Sequence, residues 1–265
     1  MPNAVPYWPV DAFAAEPFSG NRAAVMILEE WPEDSVLQAI GAENNFAETA
    51  FLVKDETAES DWQLRWFTPA LEIRLCGHAT LAAGFVLLRD PSNGDVVRFR
   101  TRRAGILEVR RADKGYAVAL PAIPTEQCEF PEAVAALGAV PVETWRNPDR
   151  YNLFLFESEA QVRALSPDLR TLAALGDHQF ICTAPGEETD VVSRVFVPGA
   201  GVDEDSVTGS AHAVLTPFWA GRLSRDRFTA FQASARGGHL TCTLDGGRVW
   251  LEGQCVSVVE GRFFL

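Results

Sequence analysis

Gly77-His78-Ala79-Thr80-Leu81-Ala82-Ala83-Gly84-Phe85-Val86-Leu87-Leu88 decides the fold. Residues 79–88 are apolar on every side, so a helix here offers no face to water and belongs at the centre of a domain. Upstream stand Arg65-Trp66-Phe67-Thr68-Pro69 and then Cys76. The second half of the chain repeats this order. Arg194-Val195-Phe196-Val197-Pro198 is followed by Thr208-Gly209-Ser210-Ala211 and a second apolar stretch over 210–220. Each copy is a strand R-x-F-x-P, a loop, a small-Gly-polar-Ala turn and a buried helix. The second loop is three residues longer and carries Asp203, Glu204 and Asp205. Two copies at long spacing predict two pseudo-symmetric domains rather than a solenoid.

Outward from these helices, the pattern predicts strands at 23–28, 48–53, 62–67, 96–103, 105–111 and 115–120 in the first half. A helix is expected over 32–44, ended by Asn44-Asn45. Pro121 to Pro124 punctuates the chain. Domains are therefore expected at 1–120 and 121–265, with the last strand a candidate to return to the first half. The second half predicts helices at 131–137 and 166–175. Its strands are expected at 151–156, 179–184, 191–197, 239–244, 248–253 and 256–259.

The chain has 265 residues, 47% hydrophobic and 22% charged, which suffices for two cores. Its net charge of −13 disfavours nucleic acid as a partner, though a local pocket can still take a small anion. The N-terminal residues lack a basic segment followed by an apolar one, so no signal peptide is expected. The longest apolar run falls far short of the roughly 20 residues of a membrane span. The five cysteines, at 76, 128, 182, 242 and 255, form no CxxC pair. Reduced thiols in a cytoplasm fit that pattern better than disulfides or zinc. Histidine spacing suggests no metal site, and no phosphate-binding glycine fingerprint is present.

Two glycines that enter helices, Gly77 and Gly209, suggest anion sites. Free N–H groups of a first helical turn favour negative charge. A pair of them facing across a domain cleft would cage a carboxylate; the plainer reading is two tight turns. Glu48 lies in Phe46-Ala47-Glu48-Thr49-Ala50-Phe51. It is either an edge-strand surface residue or a half-buried acid able to take and return a proton. His78 is a helix cap, a core histidine, or a donor to substrate. Asp205 is a loop cap or orients a polar substrate group. Ser210 caps its helix or binds substrate, and it stands in no G-x-S-x-G elbow. Cys76, near a helix N-terminus, is expected to have a depressed pKa and could act as a base. Its counterpart Thr208 cannot. His178, His212 and His239 are read as structural or surface residues.

Several of these segments resemble the PhzF-like (phenazine biosynthesis F) family. They are Asp11-Ala12-Phe13 through Pro17-Phe18-Ser19-Gly20-Asn21, Asn45-Phe46-Ala47-Glu48-Thr49, and Phe67-Thr68-Pro69 with Glu72. Gly77-His78-Ala79-Thr80, residues 204–211 and Arg236-Gly237-Gly238 complete the ordered set, which spans nearly the whole chain. The resemblance implies the α+β, diaminopimelate-epimerase-like fold: two pseudo-symmetric domains, each a mixed, barrel-like sheet around a central helix, with the active site between them. It implies a homodimer without cofactor or metal, acting on a small carboxylate-bearing substrate. Its proton-shuttling glutamate matches Glu48. Its other site residues match His78, Asp205, Ser210 and Asn21. Arg22 stands where a proline is usual. Cys76 occupies the place of one of the two catalytic cysteines of related epimerases, and the other is missing. An isomerase with Glu48 as acid and base is therefore expected. The alternatives are a racemase or epimerase using Cys76, and a binding protein that kept the fold without the chemistry.

Overall fold

The structure, a computed structural model, describes residues 4–265. In chain order its elements are β1 (Ala4–Ala12), β2 (Asn21–Leu28), α1 (Asp34–Asn44), β3 (Glu48–Lys54), β4 (Trp62–Phe67), β5 (Glu72–Ile73) and α2 (Gly77–Leu88). Then come β6 (Val96–Thr101), β7 (Ile106–Ala112), β8 (Gly115–Pro121), β9 (Glu126–Gln127), α3 (Pro131–Leu137), β10 (Glu143–Arg146) and β11 (Tyr151–Leu155). The chain continues through α4 (Glu159–Ala164), α5 (Leu169–Ala174), β12 (Gln179–Pro185), β13 (Val191–Val197), β14 (Val202–Asp205) and α6 (Gly209–Leu223). It closes with β15 (Arg227–Gln232), β16 (Gly238–Asp245), β17 (Arg248–Gly253), β18 (Cys255–Ser257) and β19 (Gly261–Phe264). Two compact units result. The first is Met1–Leu120 with Glu252–Leu265, and the second is Pro121–Leu251.

In the first unit β2 and β3 run parallel, β3 and β4 antiparallel, β4 and β6 parallel, and β6 and β7 antiparallel. In the second, β11 and β12 run parallel, β12 and β13 antiparallel, β13 and β15 parallel, and β15 and β16 antiparallel. The same four pairings occur in the same order, so the echo in the sequence is an echo of topology. Helix α2 packs against β1, β2, β3, β6, β7 and β18. A helix that touches strands from both ends of this order is wrapped by the sheet. Leu81, Leu87 and Leu88 are almost wholly buried in it, each contributing about 1.5–3 kcal/mol. Gly84 sits mid-helix because α2 lies close on β7. A Cβ there would meet the Val109 side chain at 2.3 Å.

The strands before each central helix are braced alike. Arg65 of β4 holds Glu72 of β5 through two bonds of 2.8 and 2.9 Å. Arg194 of β13 holds Glu204 of β14 through two bonds of the same lengths. Helix α6 contains Pro217, which cannot donate to the carbonyl four residues back. That carbonyl, of Ala213, instead accepts the N–H of Ile123 at 3.1 Å. A backbone oxygen that would be orphaned in the core is thereby satisfied.

Strand β1 is unexpected from the sequence, because Pro6 and Pro9 argue against a strand. Each proline lies where one side of β1 has no ladder partner. Pro6 pairs with Arg262 of β19, before the β2 ladder begins at Tyr7. Pro9 pairs with Ala24 of β2, in the gap between the β19 and β18 ladders. Strands β10 and β15 and helix α4 also lack a sequence signal of their own. The helix expected over 166–175 is shorter, since Asp168 caps it by accepting the Thr171 N–H. No helix of the described residues is long and apolar enough to cross a membrane.

Candidate active site

In the first unit five predicted residues converge at the start of α2. Glu48 opens β3 and His78 is the second residue of α2. His78 Nε2 lies 2.8 Å from Glu48 Oε2, with the two side chains 5% and 15% exposed. The contact is a close ion pair, but neither atom makes an aligned hydrogen bond. The side-chain amide of the buried Asn21 lies 3.1 Å from His78 Nδ1, and Cys76 Sγ lies 3.6 Å from the same nitrogen. Gly77, the first residue of α2, is buried beside them.

Asn21 is placed by the β1–β2 connection. Ala12 pairs with Asn21 across the two strands, and residues 13–20 form the loop. Gly20 has φ +64°, and a Cβ there would meet the Ala12 carbonyl oxygen at 2.2 Å. The turn therefore demands glycine on both torsional and steric grounds. The N–H of Phe18 donates to the buried Asp11 carboxylate and helps fix the loop.

Burial pulls the pKa of His78 down, yet the neighbouring sulfur and carboxylate more than offset it, so the value lies well above 6.5. Asn21 Nδ2 faces Nδ1 in the structure, and an imidazolium, which donates from both ring nitrogens, pairs with Asn21 when the amide is turned to bring its oxygen there. The depressed thiol pKa expected of Cys76 is corrected here. Burial first, and the Glu48 charge second, push it up to about 11. The helix N-terminus does not overcome the loss of water.

The second unit holds Asp205, Gly209 and Ser210 around the start of α6. Asp205 accepts from the Ser206 N–H at 2.9 Å and from the Thr208 hydroxyl at 2.6 Å. Ser210 does not cap the helix. The residue at the cap position is Thr208, and Ser210 Oγ instead accepts from Gln179 Nε2 at 2.9 Å. Gln232 is fully buried; it accepts the Thr208 N–H at 2.8 Å and donates to the Asp205 carbonyl at 2.7 Å. His212 donates from Nδ1 to the Thr208 carbonyl, and burial lowers its pKa to about 4, so it is a neutral core residue. His178 bonds to Asn152, and His239 is exposed against Phe231.

Sequence reading misses Gln179 and Gln232. The signal for Gln179 was in the echo. Phe67 pairs with Thr49, and Phe196 pairs with Phe180. One residue earlier on each strand stand Glu48 and Gln179. The pair Gln179–Ser210 is thus the neutral counterpart of Glu48–His78.

Glu48, Cys76 and His78 also bring three metal-ligating atom types within 4.8 Å of one another. No such group forms among the second unit's equivalents, where an amide and two hydroxyls take their places.

Residues 10–261 match the family described as phenazine biosynthesis-like protein. A curated relative from Pseudomonas aeruginosa, called an uncharacterized isomerase, is 47% identical over 97% of each chain. The solved structure of a phenazine biosynthesis protein of the PhzF family from Enterococcus faecalis is 41% identical. It covers 99% of this chain and 100% of its own, with a TM-score of 0.92. A hydroxyproline epimerase from Agrobacterium vitis, 12% identical with a TM-score of 0.65 over 100% of this chain and 94% of its own, shares the fold alone. On its topology, its site motifs and these matches, the chain belongs to the PhzF-like family and carries the diaminopimelate-epimerase-like α+β fold.

Proposed function

We propose that this chain is an isomerase that moves a proton on a small carboxylate-bearing substrate, with Glu48 taking the proton and returning it. The observation that carries the reading is the 2.8 Å approach of His78 Nε2 to Glu48 Oε2 at the start of a buried helix. The name of the Pseudomonas aeruginosa relative supports the reaction class. Glu48 as carboxylate accepts a proton from an activated carbon. Its own negative charge is thereby neutralised. The imidazolium of His78 is left to face the negative charge that has moved onto the substrate. Return of the proton to another carbon of the same substrate restores the ion pair. A positioned acid–base group of this kind contributes about 10²–10⁴-fold in rate.

Asn21 sets the orientation of the imidazole. Gly77 and Gly209 begin helices whose first N–H groups suit a carboxylate. Asp205 and Ser210 orient polar substrate groups, and Gln179 holds Ser210. The same reading makes the protein a cytoplasmic homodimer that needs no cofactor. The racemase reading requires Cys76 as thiolate. Its raised pKa and the hydroxyl of Thr208 at the equivalent position both speak against it.

The test is incubation in heavy water with a panel of cyclic and α-substituted carboxylic acids, dihydro-hydroxyanthranilate among them. Deuterium uptake or isomerisation is expected from the wild type and not from Glu48→Gln. Activity retained in that variant would overturn the role of Glu48. Ligand binding with no exchange for any compound would support the binding-protein alternative.

A further inference from the structure

We propose that Ser193 and His212, inside the second unit, hold a buried water molecule between them. The two residues are enclosed, at 1% and 0% exposure. Ser193 Oγ and His212 Nε2 make no hydrogen bond among the described residues. Buried polar atoms in that state are destabilising, and internal water is the usual partner of those that lack a protein one. The register sets the two residues on facing surfaces. Ser193 of β13 pairs with Thr183 of β12 on one side and with Gln232 of β15 on the other. Ladder partners share a face of the sheet, so the three buried side chains form one polar row. Helix α6 meets both ends of that row. The N–H of Thr208, at its cap, donates to Gln232 Oε1 at 2.8 Å, and Trp219 Nε1 donates to Thr183 Oγ1 at 3.0 Å. Residues 208, 212 and 219 follow one stripe of a helix. His212 therefore comes between the two contacts on the helix, as Ser193 comes between them on the sheet.

The chemistry selects a molecule that both donates and accepts. His212 Nδ1 faces the Thr208 carbonyl at 2.8 Å, so that nitrogen carries the ring proton. Nε2 is then a bare lone pair and can only accept. Ser193 has a hydroxyl proton to give. A water between them donates to Nε2, accepts from Ser193 and brings no charge into the core. The first unit is an internal control. Leu52 and Leu64 pair at the register positions of Thr183 and Ser193, four residues after Glu48 and Gln179 and three before Phe67 and Phe196. Thr80, four residues after the cap of its helix, takes the place of His212, and its hydroxyl is satisfied by the Cys76 carbonyl. That copy has no orphaned pair at these positions. In the second unit the water fixes the tautomer of His212, and through it the Thr208 carbonyl, at the start of the helix that carries Ser210.

The inference is independent of the reaction proposed above. The test is a crystal structure of the full chain, without ligand, at atomic resolution. One ordered water is expected within hydrogen-bond distance of both Ser193 Oγ and His212 Nε2. A direct bond between the two side chains, or the absence of a water peak between them, overturns the site, and neither result depends on a variant. Chemical denaturation of Ser193→Ala supplies the second measurement. Loss of the hydroxyl takes one partner from the water, so the denaturant midpoint should fall. If Ser193 were a true orphan, its removal would relieve an unsatisfied buried group and the midpoint would rise. An unchanged or raised midpoint therefore overturns the bridge.

Discussion

Gln179 holds, in the second unit, the register position that Glu48 holds in the first. Each opens a strand that runs parallel to its neighbour on one side, and each meets the second residue of a buried helix. One pair is ionised, carboxylate on imidazole. The other is neutral, amide on hydroxyl. A fold built twice has kept titratable chemistry in one copy and hydrogen-bonding chemistry in the other.

Glu48→Gln should therefore abolish substrate proton exchange while leaving substrate binding intact. The amide fills the same space and cannot carry the proton. A loss of about 10²–10⁴-fold in turnover is expected. Mass-spectrometric deuterium uptake reads the rate, and calorimetry reads the binding.

Gln179→Leu should act differently. It removes the donor to Ser210 Oγ and touches no ionised group. The loss of about 1 kcal/mol from one neutral hydrogen bond corresponds to a KM raised about fivefold with kcat nearly unchanged. A change confined to kcat would contradict a binding role for Ser210.

The raised pKa of His78 has a signed consequence for stability. The folded protein holds the imidazolium proton more tightly than the unfolded chain, whose value is near 6.5. The stabilisation is complete below that pH and is lost as pH rises through the folded value, well above 6.5. Melting curves of wild type and His78→Gln should differ most near pH 6 and converge in alkaline buffer. Divergence with rising pH would mean that the histidine is buried neutral.

Cys76 should resist alkylation at neutral pH. Its thiol is buried with a pKa near 11, whereas Cys128 is exposed. Brief iodoacetamide treatment followed by peptide mass mapping should find Cys128 modified first and Cys76 spared. Rapid labelling of Cys76 would restore it as a candidate base.

Gly84→Ala should destabilise the first unit although alanine favours helix. The new methyl meets Val109, a β-branched side chain with little freedom to move. Overpacking of this kind costs about 1–3 kcal/mol, read as a lower denaturant midpoint.

Both central helices are legible in the sequence because nothing but burial explains a run such as residues 79–88. The convergence of Glu48 and His78 is implied by family resemblance, since residues thirty apart carry no spacing signal of their own. Other features stay hidden. Strand β1 is masked by Pro6 and Pro9, whose tolerance depends on which ladder partner is absent at each. The thiol of Cys76 is misjudged because a helix N-terminus is visible in a sequence and desolvation is not. Gln179 and Gln232 escape for a related reason. A glutamine at a strand end looks like any surface residue until the helix start or loop it braces is seen.

Strands β18 and β19 pair with β1, so the unit that begins the chain also contains residues 255–264. On the ribosome this inverts the usual order of maturation, in which N-terminal domains fold first. Every residue of 121–251 is synthesised before β1 can acquire its second row of partners. The first half of the protein waits, with one edge of β1 uncovered, for residues 255–264 to be made.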